Sequence, residues 1–234
     1  MKIIGHRGAM GLAPENTLLS FRKALALQVD GVEFDVQNID GQLLVFHDET
    51  LERTTNGTGA LADHSVTYLR TLDAGAGQQI PLLQEVIELI DSDIFINIEL
   101  KGERTAGLVV KVIKFLNKER YKKDNFIISS YLFSELFMLR QLDPDIRIGV
   151  IADEQPEVAL SVARDLAAYS FHPSLALVTP ELVRTVHQQG LLLYVHTVNE
   201  PDDIARVEVM GVDGIFTDFP DRVLTQKGRK KGSH

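Results

Sequence analysis

The segment Gly31–Val36 has the sequence GVEFDV, whose alternation is typical of a buried β-strand with one polar face. Side chains of a strand point alternately to its two faces, so Glu33 and Asp35 share one face and the apolar side chains share the other. Two neighbouring carboxylates on a buried strand repel each other and lose hydration, which is costly unless a cation or protons compensate. A hard divalent metal ion bound through oxygen atoms is therefore the natural hypothesis for this strand.

A second strand with a polar face is predicted at Ile94–Lys101, which has the sequence IFINIELK. The three isoleucines and Leu100 share one face, and Asn97, Glu99 and Lys101 share the other. We expect Glu99 to join the two earlier carboxylates, and three carboxylates suit Mg²⁺ or Ca²⁺. One acidic pair alone is commonly a solvated strand face, whereas two such strands favour a metal site. Lys101 can pair with Glu99, face an anionic substrate, or do both.

Strands and helices alternate along the whole chain, and about eight strands can be counted, which predicts a (β/α)8 barrel. An open doubly wound sheet gives a similar alternation. Polar residues recur at the ends of several strands, where barrel active sites are built, and this favours the barrel. We expect one domain over residues 1–226, and a basic, frayed tail over residues 227–234.

Local signals predict a helix from Pro14 to about Gln28 and a tight hairpin turn at Asp40-Gly41. Residues 51–80 are irregular and rich in Thr and Gly, which is typical of a functional rim or a small cap. Within them, the string GTGALA at residues 57–62 matches a dinucleotide-binding fingerprint. We reject that match because no strand precedes it and no βαβ unit surrounds it.

Two of the seven histidines lie where catalysis is expected. His6 and Arg7 directly follow the first strand, and His47 ends the predicted hairpin. Arginine binds phosphate through two hydrogen bonds and histidine titrates near neutral pH, so one imidazole as acid and another as base suit phosphodiester cleavage. His172 and His196 could reach the same end of the predicted barrel, but neither is assigned a catalytic role. The remaining three are expected to be structural: His64, His187 and His234.

Composition excludes several classes of protein. The formal net charge is -9, with 24 Lys and Arg against 33 Asp and Glu, which argues against a nucleic-acid-binding surface. The absence of cysteine excludes disulfides and thiolate metal sites. No apolar run is long enough to span a bilayer, and no secretory leader is evident. We therefore expect a cytoplasmic protein without stable membrane association.

Taken in order, the motifs of this chain resemble the glycerophosphodiester phosphodiesterase family. The matching strings lie in eight places: Gly5–Gly8 (GHRG), Pro14–Thr17 (PENT), Glu33–Gln37 (EFDVQ), Asp40-Gly41 through His47-Asp48, Arg53–Gly57 (RTTNG), Glu99–Lys101 (ELK), Thr197–Asn199 (TVN) and Thr217–Pro220 (TDFP). Each string alone is weak, but the ordered set covers nearly the whole chain and is highly specific.

The resemblance implies a barrel with a small insertion after the second strand, where residues 51–80 lie. It also implies one divalent cation, Mg²⁺ or Ca²⁺, and a division of roles among seven residues. The metal ligands would be Glu33, Asp35 and Glu99, the acid and base His6 and His47, and the groups near the phosphate Arg7 and Lys101. The family commonly has Trp before the TVN run, and here that residue is His196.

The expected reaction is hydrolysis of a small-molecule glycerophosphodiester, such as glycerophosphocholine or glycerophosphoethanolamine, to glycerol 3-phosphate and an alcohol. Three rivals remain at this point. A phospholipase-type enzyme would need an apolar rim, which residues 51–80 do not show. A metal-dependent isomerase or lyase leaves the two histidines without a purpose. A non-catalytic metal-binding scaffold is the third.

Overall fold

The computed structural model of the chain describes residues 1–90, 93–116, 122–226 and 228. In these ranges nine strands form one sheet: β1 (Lys2–Gly5), β2 (Gly31–Ile39), β3 (Gln42–Val45), β4 (Phe95–Leu100), β5 (Phe126–Ser130), β6 (Arg147–Ala152), β7 (Ser170–Pro173), β8 (Leu192–Val195) and β9 (Gly214–Thr217).

The sheet closes on itself as a parallel barrel. Gly5 of β1 pairs with Thr217 of β9 on one side and with Val32 of β2 on the other, and β4–β9 complete the circle. β3 lies outside the circle because it pairs antiparallel with β2 alone. The predicted (β/α)8 barrel is confirmed, and the open doubly wound sheet is excluded by the β1–β2 pairing.

Helices follow the barrel strands, as a barrel requires. They are α1 (Leu18–Ala26), α2 (Val66–Leu69), α3 (Leu83–Leu89), α4 (Ala106–Leu116), α5 (Phe133–Leu142), α6 (Pro156–Asp165), α7 (Pro180–Gln188), α8 (Pro201–Met210) and α9 (Pro220–Gln226). The main hydrophobic core lies between these helices and the outward faces of the strands, with Phe34, Ile98 and Val150 among its fully buried members. A smaller cluster, including Ile127, Tyr194 and Phe216, fills part of the barrel interior.

The first helix begins later than predicted. It starts at Leu18, and Thr17 is its N-cap, accepting a hydrogen bond from the backbone N–H of Ser20. Asn16 has φ +56°, a left-handed conformation that is incompatible with a helix but tolerated by asparagine. The predicted start at Pro14 was therefore wrong, because residues 14–16 turn the chain toward β2.

The hairpin between β2 and β3 turns at Asp40-Gly41, as predicted. Both residues have positive φ, +51° and +80°, which is the backbone of a type I′ turn. After β3 the chain enters residues 51–80, which contain a 3-10 turn and α2. Their buried side chains, such as Leu61 and Leu69, form a separate hydrophobic cluster with Leu44 of β3. The GTGALA string lies in this irregular region, away from any strand–helix junction.

The predicted basic tail lies, apart from Gly228, outside the described residues. In the part of the chain that the structure describes, none of the helices has the length and apolar character needed to cross a membrane.

Candidate active site

Three carboxylates meet at the mouth formed by the carboxyl ends of the barrel strands. Glu33 and Asp35 extend from β2, and Glu99 extends from β4, where it is directly opposite Asp35 in the ladder. One oxygen from each of the three lies within 4.8 Å of the others. The exposed fractions of Glu33 and Asp35 are 3% and 1%. The structure therefore brings together the three residues that the sequence suggested as metal ligands.

The electrostatics of this cluster favour a bound cation. Burial, together with repulsion from Asp35 and Glu99, raises the pKa of Glu33 well above its ordinary value. Burial and repulsion from Asp35 likewise raise the pKa of Glu99 to about 7. Glu33 Oε1 is buried and has no hydrogen-bond partner among the described residues. An unpartnered carboxylate oxygen beside two further carboxylates fits a hard divalent cation.

Several donors hold the carboxylates in place. The backbone N–H of Arg7 donates to Glu33 Oε2 at 2.9 Å. The amide of Asn16 donates to Asp35 Oδ2 at 2.9 Å, which is the contact that the left-handed turn at residue 16 makes possible. These bonds occupy single oxygens and leave other lone pairs for a metal. The position of each carboxylate is thus fixed by the fold before any cation binds.

His6 lies directly after β1, beside the acidic cluster. Its Nδ1 is 2.7 Å from Asp218 Oδ1, and its Nε2 is 4.0 Å from Glu33 Oε2. The amide of Asn199 donates to the other oxygen of Asp218 at 2.6 Å. Gly8 allows the tight turn that follows, since its φ is +83° and a Cβ there would lie 2.4 Å from Ser20 Oγ. The imidazole is therefore oriented through Nδ1, with Nε2 toward the carboxylates.

His47 lies in the loop that follows β3. Its Nδ1 is 2.6 Å from Asp48 Oδ1. The side-chain amide of Gln37 donates to the carbonyls of Phe46, His47 and Asp48, at 3.3, 3.2 and 2.7 Å, and so holds the loop against β2. Burial lowers the pKa of His47, although Asp35 partly opposes this effect. The imidazole is therefore neutral at neutral pH and can accept a proton.

Arg7 and Lys101 both contact the acidic cluster. Arg7 Nη1 donates to Glu15 Oε1 at 2.7 Å, and its Nε lies 3.3 Å from Asp35 Oδ2. Lys101 Nζ donates to Glu99 Oε1 at 2.9 Å and lies 4.6 Å from the centre of the Tyr131 ring. Both cations offset the negative charge of the carboxylates. They lie where an anion at the mouth would meet them.

A small cavity extends from the cluster into the barrel. Its lining residues come from all eight barrel strands or their ends: His6, Glu33, Asn97, Glu99, Ser129, Ile151, His172, His196 and Phe216. Asn97 Oδ1 is buried and has no hydrogen-bond partner among the described residues. This mixture of polar groups and two apolar walls suits a small, hydroxylated ligand.

Two histidines of this cavity were noted in the sequence without a role. His172 is 1% exposed, bonds Ser170 Oγ through Nε2 at 2.7 Å, and packs against Gly149, where a Cβ would lie 2.5 Å from its ring. Burial lowers the pKa of His172 to about 3, so the ring is neutral. His196, at the position where the family commonly has Trp, bonds Asp153 Oδ1 at 2.8 Å. The polar imidazole ring of His196 thus lies where the family commonly has the larger, apolar ring system of Trp.

The sequence did not identify the residues that orient the two catalytic candidates. Asp48, Asp218, Asn199 and Gln37 all belong to motifs that carried the family resemblance, but no role was assigned to them. Asp48 directly follows a candidate histidine and Asp218 directly follows a strand end, and that position was the available signal for these two. Of the histidines expected to be structural, His64 and His187 lie on the surface, bonded to Thr58 O and Asp213, and His234 lies outside the described residues.

The fold and the mouth together place the chain among barrel enzymes whose active site lies at the carboxyl ends of the strands. The model of the Glycerophosphoryl diester phosphodiesterase family matches residues 6–222. The chain therefore belongs to this family, and it is a phosphodiesterase. The resemblance inferred from the motifs is confirmed, and the non-catalytic scaffold and the isomerase or lyase are excluded.

Individual relatives agree over nearly full length. A glycerophosphodiester phosphodiesterase of Caldanaerobacter subterraneus subsp. tengcongensis is 39% identical, with 97% of this chain and 98% of that protein covered. One from Bacillus altitudinis is 38% identical, with 95% and 96% covered. Among solved structures, an Oleispira antarctica phosphodiesterase in complex with the product sn-glycerol-3-phosphate is 28% identical, has a TM-score of 0.89, and covers 97% of each chain. A Thermotoga maritima glycerophosphodiester phosphodiesterase is 29% identical, has a TM-score of 0.81, and covers 98% of each chain.

Proposed function

We propose that this chain hydrolyses glycerophosphodiesters to glycerol 3-phosphate and an alcohol, using a divalent cation and two histidines. The observation that carries the proposal is the meeting of Glu33, Asp35 and Glu99 in one mouth with His6, whose Nε2 points at them. The Oleispira relative, which was solved with sn-glycerol-3-phosphate, supports the choice of product.

The residues that would hold the cation are Glu33, Asp35 and Glu99, and either Mg²⁺ or Ca²⁺ suits their oxygen donors. The raised pKa values of Glu33 and Glu99 and the unpartnered Glu33 Oε1 support this assignment. When bound, a divalent cation supplies positive charge to nonbridging phosphate oxygens. Arg7 and Asn16 keep the carboxylates oriented for it.

His6 and His47 would transfer the protons. Each is held through Nδ1 by a carboxylate, Asp218 or Asp48, which leaves Nε2 to give or take a proton at the ester. The lowered pKa of His47 supports its role as the base, because a neutral imidazole can remove the proton of the attacking hydroxyl. His6 would then protonate the departing alcohol. The attacking hydroxyl is that of water or of the substrate's own glycerol.

Lys101 and Arg7 would attract the phosphate. Lys101 is 12% exposed and already faces Glu99, so its charge is directed into the mouth. Arg7 is similarly buried and engaged by Glu15 and Asp35. Arg7 therefore has a second proposed role, which is to offset the negative charge of the acidic cluster.

Water-soluble diesters fit this mouth better than lipids. Within residues 51–80, which the structure describes in full, Tyr68 is the one exposed large hydrophobic residue, at 41%. A lipid-binding rim needs a contiguous apolar surface. The phospholipase-type alternative therefore has no supporting feature in this segment.

The proposal is tested by mixing the protein with glycerophosphocholine and either Mg²⁺ or Ca²⁺, and by coupling release of glycerol 3-phosphate to its dehydrogenase. We expect release with at least one metal and none in excess chelator. Phosphatidylcholine vesicles in a parallel reaction test the lipid alternative. Absence of release under both metals, or undiminished release in chelator, would contradict the proposal.

A further inference from the structure

Arg53, in the segment that follows His47, makes an unusually complete set of bonds at the mouth. Its Nε and Nη2 donate to Asp48 Oδ2 and Oδ1, at 2.5 and 2.8 Å. Its Nη1 and Nη2 donate to Glu15 Oε2 and Oε1, at 2.7 and 2.8 Å. One guanidinium therefore forms two bidentate pairs, using four of its five N–H donors.

Each of the two carboxylates holds a different part of the proposed machinery. Asp48 bonds Nδ1 of His47 at 2.6 Å. Glu15 accepts from Arg7, and Arg7 in turn lies 3.3 Å from Asp35. A chain of alternating charges thus runs from the acidic cluster to the histidine, and Arg53 is its central member.

The carboxylate partners of Arg53 are more buried than Arg53 itself, which strengthens these bonds. Its side chain is 49% exposed, but Glu15 and Asp48 are only 9% and 20% exposed. Bonds to Arg53 are the largest contribution that lowers the pKa of Asp48, to about 2, so this carboxylate stays charged. A lysine could keep the charge but could not form two planar forks.

We propose that Arg53 is a positioning residue, which fixes the orientation of the His47 imidazole and of the Arg7 guanidinium at the same time. This inference rests on the proposed function of His47 and Arg7. It assigns the segment after β3 a role in catalysis: the segment supplies the residue that aligns His47, which precedes it in the same connection, and Arg7, which lies in the loop after β1.

The chain contains a matched control. Arg70, in the same insertion, forms a bidentate pair with Glu85 of α3, at 2.5 and 2.7 Å, and donates to the carbonyl of Ile80 at 2.8 Å. This pair fastens the insertion to the barrel without contacting either histidine. Arg70→Lys therefore also removes a bidentate pair from the insertion, but leaves Asp48 and Glu15 untouched.

The test compares kcat and KM of Arg53→Lys and Arg70→Lys on glycerophosphocholine, with folding checked by thermal unfolding. We expect Arg53→Lys to lower kcat about 10- to 100-fold, the size of effect that follows a small misplacement of a catalytic group. Arg70→Lys should stay within about twofold of the wild type in kcat, because the bonds of Arg70 go to Glu85 and Ile80 and reach neither His47 nor Arg7. Equal losses in the two variants would show that Arg53 is merely structural.

A second measurement tests whether Arg53 acts on His47 through Asp48 or only stabilises the segment as a whole. In an Asp48→Asn background, Arg53→Lys should lower kcat no further, whereas KM should still rise through Glu15 and Arg7. A further fall in kcat equal to that in the wild type would overturn the proposal.

The pH profile of kcat/KM gives a third readout. Arg53→Gln removes a positive charge beside Asp48, so Asp48 stabilises the imidazolium of His47 more strongly. The other charged groups near this ring, Asp35, Arg7 and Lys101, keep their charges in this variant. The acidic limb should move to higher pH, and an unmoved limb would contradict the role.

Failure of this inference can be told apart from failure of the proposed function. If wild-type protein releases no glycerol 3-phosphate, the proposed function is wrong. If wild-type protein is active and only the comparisons among variants fail, the proposed function stands and the role of Arg53 is wrong.

Discussion

The mouth of this enzyme has two sides that are built in different ways. The strand side consists of Glu33, Asp35 and Glu99, which extend from neighbouring strands in a fixed ladder register. The insertion side consists of His47, Asp48 and Arg53, which lie after β3 and are held mainly by side-chain bonds. Backbone pairing sets positions on the first side, and a polar network sets them on the second.

The comparison teaches how substitutions should act on each side. A change on the strand side leaves the geometry intact and removes a chemical group, because the barrel does not depend on that side chain. A change on the insertion side removes a contact that other residues need for their orientation. The first kind of change should eliminate function, and the second should weaken it by degrees.

The largest expected effect is that of Glu33→Gln, which would break the strand side. We expect activity to fall by more than about 1,000-fold, since the charge that the cation supplies to the phosphate is lost. Wild-type protein at a metal concentration of a hundred times Kd should melt about 5–10 °C higher than in chelator, and the variant should not. Glu181→Gln, on the outer helix α7, is the control; retained activity in Glu33→Gln would disprove the metal assignment.

The next effect sharpens the contrast on the insertion side. His47→Ala should lower kcat about 100- to 10,000-fold, as removal of an acid or base does. Because no metal ligand changes, the metal-dependent rise in melting temperature should persist. Kinetics and thermal unfolding of one preparation check both points. A variant that loses the thermal shift together with its activity would show that the two sides are not separate.

A smaller effect concerns stability in the absence of metal. The pKa of Glu99 is raised to about 7, so the folded protein holds a proton that the unfolded chain releases near its ordinary value. In chelator, stability relative to Glu99→Gln should therefore fall as pH rises from 4.5 through 7, by at most about 1.4 kcal/mol per pH unit. Denaturant titrations of both proteins measure this. A difference that grows in the opposite direction would contradict the raised pKa.

The smallest effect tests a residue inside the barrel. Burial holds the pKa of His172 near 3, so the unfolded chain binds a proton that the folded protein excludes. The contribution of neutral His172 to the free energy of unfolding should be fully present above pH 6.5. It should decline below that pH, by about 2 kcal/mol between pH 6.5 and 5. His172→Gln, which can still bond Ser170, should remove this decline. Unfolding curves of both proteins, measured at pH 6.5 and pH 5, would detect the difference. An equal change in the free energy of unfolding for both proteins would exclude it.

Much of the strand side could be predicted from the sequence, because side-chain alternation is a property of the strand itself. Glu33, Asp35 and Glu99 follow a period of two between apolar neighbours, and parallel strands bring their carboxyl ends to one mouth. The barrel could be predicted for the same reason. Only local periodicity and the order of the elements were needed.

The insertion side could not be predicted in the same way. The partners of Arg53, Glu15 and Asp48, are 38 and 5 residues away in sequence, and no periodicity links them. The start of α1 failed for a related reason. Pro14 is a common first helical residue, but a tertiary bond from Asn16 to Asp35 took precedence over that local preference. Contacts fixed by side chains across loops depend on the finished fold.

The length of β2 has a consequence for how substrate enters. This strand continues past Asp35 to Ile39, and its last four residues pair with β3. The strand that leads into the insertion is thus joined to the barrel by continuous ladder hydrogen bonds. Swinging β3 away from the barrel would break those bonds. We therefore expect His47, two residues beyond β3, to keep its place beside the carboxylates while substrate enters and products leave.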